Sequence, residues 1–213
     1  MSIIPSASPN DTAARFTRDT AGHELTVLHE DGLYRHLRFE TPGKRGAFAF
    51  ELITWPYNLV VKTGWTFHFD INATPDMLDL FRNTARTGEI NPGYWSEKVR
   101  AGRDEINGFA PDLFEQQVKQ HVVEAIRHGD APRGIGAEVT QHIFELGDIT
   151  HEAGARAELE AFSYQGWTFG ETWEWNFRDY TPGFLWSCHA IRHGIDLWDA
   201  AKPATPQQTR RAS

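Results

Sequence analysis

Alternating apolar and polar residues run through the first third of the chain. In LYRHLRFE, residues 33–40, the odd positions are apolar except for an arginine at position 35. A similar alternation occurs in AFAFELITW, residues 47–55, and in WTFHFDI, residues 65–71. Asp31-Gly32, just before the first run, is a strong signal for a hairpin turn. Residues 23–71 therefore predict an antiparallel meander of four or five strands with one apolar face.

The apolar face of this meander is expected to build the core. Phe48 and Phe50 share it on one strand, and Trp65, Phe67 and Phe69 share it on another. The chain contains 8 Trp and 14 Phe, so this core should be rich in aromatic rings.

Helical spacing dominates most of the remaining chain. Residues 111–129 carry one apolar stripe that ends at a glycine, and residues 184–198 carry another with steps of four and three. Between them GWTFGETWEWNF, residues 166–177, alternates again and predicts a C-terminal strand with Trp173 and Trp175 on one face. The pattern predicts an α+β fold, in which an antiparallel β-sheet of the N-terminal meander and a C-terminal strand packs against several α-helices.

Both ends of the chain lack this periodicity. Residues 1–22 are rich in Ser, Thr, Ala, Asp and Pro and predict a flexible N-terminal arm, and residues 201–213 predict a disordered tail. Residues 23–200 then form a single α+β domain. No stretch is apolar for long enough to span a bilayer, and the N-terminus lacks the pattern of a secretory signal, so a cytoplasmic protein is expected.

Standard catalytic motifs are absent from the sequence. Cys188 is the only cysteine and falls within an apolar helix stripe, which predicts a structural thiol. GIGAE, residues 134–138, lacks the third glycine and the preceding strand of a dinucleotide fingerprint, and there is no P-loop. No cofactor is therefore expected, and the question of enzymatic activity stays open, with the sequence favouring a protein that is not an enzyme.

Negative charge is concentrated in one part of the chain. The net charge is −8, and residues 138–179 contain nine acidic but only two basic side chains, Arg156 and Arg178. Such a surface disfavours direct binding of nucleic acid, because phosphates require basic groups. It is either a solvated face or a binding face for a basic partner. The residues predicted for that acidic face are Glu138, Glu145, Asp148, Glu152, Glu158 and Glu160.

The second face of the meander carries the best candidates for a ligand site. If the strands align, the side chains of Tyr34, His36, Arg38, Glu51 and His68 project from one rigid surface. Such a set suits general acid–base chemistry or a small anionic ligand that bears phosphate. The alternative is a wet sheet face with cross-strand charge pairs, such as Arg38 with Glu51.

Two further groups of residues have a structural and a functional interpretation. Trp173 and Trp175 either pack into the core or line a ligand cleft. His189 and His193 are four residues apart, which is a metal-ligand spacing on a helix, but a zinc site would need another ligand from elsewhere. A polar outer helix face explains both histidines equally well, so no metal is assigned.

Four blocks of the sequence resemble a family of uncharacterised proteins encoded by tailed phages and prophages. The blocks are GLYRHLRFE, FELITWPYNL, INPGYWSEKV and TWEWNFRDYTPGFLW, and the resemblance extends from about His23 to Ala200. The chain departs from this family at Tyr57, where the relatives have glycine. The resemblance implies an accessory phage protein in the cytoplasm of the bacterial host and carries no catalytic residues.

Three hypotheses follow. The leading one is a phage accessory protein that binds a host or defence protein, in part through the acidic segment 138–179. The second is a binding protein or enzyme for a small phosphate- or nucleotide-bearing ligand on the polar sheet face. The third is a metal-dependent hydrolase that uses His189 and His193. The sequence does not determine the oligomeric state.

Overall fold

The computed structural model describes residues 9–44, 46–84 and 89–202. Contacts between residues divide the chain into two compact units. Whether residues 23–200 form a single domain, as the sequence predicts, stays a prediction. The sheet unit contains residues 9–106 and the C-terminal segment from Pro182, and the inserted unit contains residues 107–181. The chain thus leaves the sheet unit after Ile106 and returns to it at Pro182.

The sheet unit contains a six-stranded antiparallel sheet. Its strands are β1 (Glu24–Asp31), β2 (Tyr34–Glu40), β3 (Phe50–Trp55), β4 (Asn58–Lys62), β5 (Thr66–Asp70) and β6 (Val99–Ala101). Neighbours in the sheet follow the order of the chain, and Gly32 in the first hairpin turn has a φ of 61°. The predicted meander and the α+β class are therefore confirmed, and β6 extends the sheet at its far edge.

One face of the sheet is covered from β2 to β5, while Val27 on the edge strand β1 is 45 % exposed. Four side chains from neighbouring strands form one row across this face. Leu37 of β2 pairs with Leu52 of β3, Leu52 pairs with Val61 of β4, and Val61 pairs with Phe67 of β5. All four side chains are inaccessible to solvent. The alternation in the sequence thus sorts apolar side chains to one side of the sheet, because successive residues of a strand face opposite ways.

Among the described residues, the sheet unit contains four α-helices. They are α1 (Pro9–Thr20), α2 (Met77–Thr84), α3 (Pro92–Ser96) and α7 (Pro182–Ala201). Helix α7 approaches the sheet closely at Gly194, where a β-carbon would come within 2.7 Å of Leu52 Cδ1. Its buried stripe includes Phe184, Cys188, Ile191 and Trp198, as the sequence predicts.

The N-terminal segment differs from the flexible arm predicted for residues 1–22. Residues 9–20 form α1, in which Phe16 is 4 % exposed and its ring lies 4.7 Å from that of Trp186. The sequence gives little sign of this helix because a single large apolar side chain anchors it. Residues 1–8, and all of the predicted C-terminal tail except Ala201 and Lys202, lie outside the described residues.

The buried Arg35 has a structural role in the sheet unit. It stands on the apolar face of β2, is 8 % exposed, and donates two hydrogen bonds to Asp76, of 2.9 and 2.8 Å. Asp76 also accepts the backbone N–H of Leu78 at the start of α2. Burial alone would raise the pKa of Asp76, but the hydrogen bonds and charge of Arg35 hold this pKa below its usual value.

The inserted unit is mainly helical. It contains α4 (Pro111–His128), α5 (Ile135–Val139), a π-helical segment (Thr140–Glu145), α6 (Glu152–Ala161) and a two-stranded sheet of β7 (Asn107–Phe109) and β8 (Arg178–Tyr180). Its core is a cluster of buried apolar residues from these helices and the following loop, including Phe114, Val118, Ile143, Leu159 and Phe177.

The strand predicted for residues 166–177 is wrong. Residues Thr172–Glu174 form a short 3₁₀ helix, and Glu171 before it has a φ of 52°. Strand β8, Arg178–Tyr180, follows this region and pairs with β7, so it does not extend the sheet of the meander. The alternation of aromatic residues here reflects packing in a loop, since Phe177 is buried while Trp173 is 73 % exposed.

Candidate functional site

The polar face of the sheet brings together most of the predicted ligand-binding residues. Residues His36 and Arg38 stand on this face of β2, and the register pairs Arg38 directly with Glu51 of β3. The predicted cross-strand charge pair is therefore present, with Arg38 Nη1 3.7 Å from Glu51 Oε1.

Glu51 is the centre of a charge cluster. Its Oε2 lies 3.0 Å from His36 Nε2 and 3.7 Å from Lys62 Nζ. Partial burial would raise the pKa of Glu51, but the hydrogen bond from His36 and the charges of Lys62 and Arg38 lower it. The carboxylate therefore stays ionised near neutral pH. Together with Glu40, whose Oε2 lies 3.0 Å from Arg38 Nη2, it balances the charges of Arg38 and Lys62, which leaves little free charge for a ligand.

His68 lies apart from this cluster. Ile53 and Val60 separate it from His36 along the same row of the sheet. Its Nε2 lies 2.7 Å from Asn58 Oδ1, and its ring stacks on Trp55 at 5.5 Å. The polar face thus contains two separate groups of hydrogen-bonded or paired side chains, one around Glu51 and one around His68, and these do not form a single site. Tyr34 at the edge of this face is 55 % exposed. A ligand-binding role for these residues stays a prediction.

Trp173 and Trp175 belong to the inserted unit and point into different surroundings. Trp173 is largely exposed, whereas Trp175 packs against His121 with ring centroids 4.9 Å apart and against Phe177 at 6.1 Å. The shared face that the sequence predicts for them is wrong, because the 3₁₀ turn rotates the first side chain away from the second.

His189 and His193 do not lie on an open polar face. Helix α1 covers them, and the ring of Phe16 lies 5.6 Å from His189 and 5.7 Å from His193. Burial lowers the pKa of both histidines. Among residues 9–44, 46–84 and 89–202, no group of three or more His, Cys, Asp or Glu side chains is placed to hold a metal ion.

The six predicted acidic residues have different surroundings. Glu152 accepts hydrogen bonds from Arg156 and Arg178, and Glu158 accepts the backbone N–H of Asp148. Asp148 in turn accepts hydrogen bonds from Thr150, and Glu138 Oε2 lies 3.3 Å from His142 Nε2. The remaining two are Glu145 and Glu160, whose side chains are exposed and make no hydrogen bond or ion pair with any described residue.

The sheet unit also contains a cavity of about 390 Å³ that sequence reasoning missed. We call it the aromatic cavity. Its walls come from α1, the loop before β3, the turn between β4 and β5, and the first turns of α7, and its aromatic rings are those of Phe48, Trp65 and Trp186. Phe48 and Trp65 were predicted as core residues, but they precede their strands and are 52 % and 43 % exposed.

The aromatic cavity has a rigid wall. The indole of Trp65 lies flat against the start of α7, where a β-carbon on Gly183 would come within 2.5 Å of Trp65 Cδ2 and Cε2. The ring of Trp186 is held by an edge contact to Phe16. In the sequence, a glycine stands close to Phe48, next to Trp65 and at the start of α7. These glycines do not identify the site by themselves, because the cavity forms only where distant segments come into contact.

Comparison with known proteins gives no match: no family model, no curated protein and no solved structure is similar to this chain. The resemblance to phage-encoded proteins therefore stays a prediction. Within the described part of the chain, no helix combines the length and the apolar character needed to cross a membrane.

Proposed function

We propose that the protein is a phage-encoded accessory protein that binds a basic surface of a host or defence component in the bacterial cytoplasm, through its inserted unit. The distribution of charge carries this proposal. Residues 107–181 contain 13 acidic and 5 basic side chains, whereas the rest of the chain contains 16 of each. The whole net charge of the protein thus belongs to one compact unit.

A one-sided charge of this size favours association with a partner of the opposite charge. Complementary charge accelerates encounter and excludes like-charged surfaces, and both effects weaken as salt increases. The partner expected for the inserted unit is a protein with a basic surface, such as the nucleic-acid channel of a host or defence protein.

The structure defines which acidic side chains to change. Glu145, Glu160 and Glu174 are exposed and make no side-chain hydrogen bond or ion pair with any described residue, so their reversal to lysine should leave the fold intact. Glu152 is unsuitable, because it holds two arginines of its own unit.

The test is affinity capture from the bacterial host with the full chain, followed by native mass spectrometry. We expect a captured protein whose association slows at higher ionic strength and is lost in the Glu145→Lys/Glu160→Lys/Glu174→Lys variant. The control with the same change in charge is Glu24→Lys/Asp31→Lys/Asp104→Lys, at exposed sites of the sheet unit, and it should retain the partner. Equal capture by both variants, or no specific partner, would refute the proposal.

A further inference from the structure

The unpaired charge at the aromatic cavity is positive. Helix α1 contributes Arg15 and Asp19 to the wall. Asp19 has a side chain that is 11 % exposed and already accepts a hydrogen bond of 2.9 Å from Arg18. Arg15 is exposed and makes no ion pair with any residue that the structure describes. A guanidinium without a counter-charge beside a cavity is suited to a carboxylate, sulfonate or phosphate.

Two of the three aromatic rings that line the cavity are held in place by neighbouring residues. Trp65 is fixed by its contact with Gly183, and Trp186 by its contact with Phe16. Rigid aromatic side chains offer large contact areas and lose little conformational entropy on binding. A cavity of about 390 Å³ is large enough for a small aromatic molecule.

Phe48 supports a binding role through its backbone. It has a φ of 57°, a left-handed conformation that large side chains rarely adopt, and yet it exposes half of its surface at the cavity. Neither feature improves folding. Strained residues that persist in this way are concentrated at functional sites.

We propose that the aromatic cavity of the sheet unit binds a small planar aromatic anion, with Phe48, Trp65 and Trp186 around its ring and Arg15 at its negative group. This site is separate from the polar sheet face that the sequence favours. It is also independent of the acidic partner-binding residues, all of which belong to the inserted unit.

The test uses three ligands that share one ring and differ in charge: indole-3-acetate, indole and tryptamine. Binding to the ¹⁵N-labelled full chain is followed through the side-chain N–H resonances of Trp65 and Trp186. We expect indole-3-acetate to bind about tenfold more tightly than indole, since a charge-assisted hydrogen bond to Arg15 is available only to the anion. Tryptamine should bind most weakly.

Two exposed arginines of the sheet unit provide a comparison with the same change in charge. Arg15→Gln should weaken the binding of indole-3-acetate about tenfold and leave indole unchanged, because it removes the charge-assisted hydrogen bond. Arg100→Gln removes the same charge from β6, outside the lining of the cavity, and should retain the affinity. Equal losses in the two variants, or tighter binding of tryptamine than of indole-3-acetate, would overturn the proposal.

Phe48→Gly separates loss of binding from loss of folding. Glycine adopts positive φ without strain, and this gain offsets the loss of the half-buried ring, so the variant should melt within about 5 °C of the parent. It should nevertheless bind indole-3-acetate about tenfold more weakly, because the ring is gone. Unchanged affinity in this variant, or no shift of either indole resonance at millimolar indole-3-acetate, would show that the cavity is not a site for this class of ligand.

Discussion

At the scale of single residues, two carboxylates in the sheet unit illustrate how position decides the role of a charge. Glu51 on the polar face lies close to His36, Arg38 and Lys62. Asp76 faces a single arginine, but that arginine is buried. A buried ion pair is sensitive to the loss of one partner, because the other charge then lies unpaired in a region of low dielectric constant.

We expect Asp76→Asn to destabilise the protein by about 2 kcal/mol, a value reduced from that of a fully buried pair because Asp76 is partly exposed. Asp76→Ala should lose about 1 kcal/mol more, since it also removes the acceptor for the N–H of Leu78. Urea denaturation measures both. When Arg35 is already replaced by methionine, Asp76→Asn should reduce the free energy of unfolding much less. An equal reduction in both backgrounds would mean that the ion pair with Arg35 is not the cause of the destabilisation.

At the scale of elements, the contact between α7 and the sheet depends on the absence of a side chain. A β-carbon at Gly194 would lie 2.7 Å from Leu52 Cδ1 and 3.1 Å from two ring atoms of Phe39. Both neighbours are fully buried, so neither can move away without disturbing the core.

Gly194→Ala should therefore destabilise the protein by about 1–2 kcal/mol, because overpacking outweighs the gain in helix propensity. The control is Gly136→Ala in α5, where a β-carbon would meet nothing within 4 Å. That change should be neutral or stabilise by up to about 1 kcal/mol. Chemical denaturation of both variants measures the change in the free energy of unfolding and its sign. A stabilised Gly194→Ala variant would contradict the close approach of α7 to the sheet.

The whole molecule should respond to pH in two separate ranges. Burial lowers the pKa of His23, His189 and His193 below their usual 6.5, so the unfolded chain binds these protons first as the pH falls. The free energy of unfolding should therefore decrease below about pH 6.5. The lowered pKa values of Asp76 and Glu51 place a second loss below about pH 4.5, where the unfolded carboxylates bind protons before the folded ones.

Variants should separate these two ranges in a series of melting curves between pH 3 and pH 8. His23→Phe should reduce the loss of stability below about pH 6.5 and leave the loss below about pH 4.5 unchanged. The reason is that both ring nitrogens of His23 are buried without partners among the described residues. Glu51→Gln should reduce only the loss of stability below about pH 4.5. His29→Gln, at an exposed histidine of the same unit, is the control. If His23→Phe leaves the first range unchanged, then burial of this histidine does not contribute there.

The aromatic cavity shows why part of the site could not be predicted. Phe48 and Trp65 continue the alternation of the strands that follow them, so a period of two places them in the core. The strands begin only at Phe50 and Thr66, and both rings line a cavity instead. The other two walls come from α1 and α7, which are far from these residues in the sequence.

The sequence by itself determined the antiparallel meander of four or five strands, its two faces and the buried stripes of α4 and α7, because hydrophobic periodicity is a local property. It also located the surplus of negative charge. Only the tertiary structure decided that α1 covers His189 and His193, that Glu51 lies among three basic side chains, and that three aromatic rings line a cavity. These features depend on strand register and on contacts between distant segments, which no local pattern encodes.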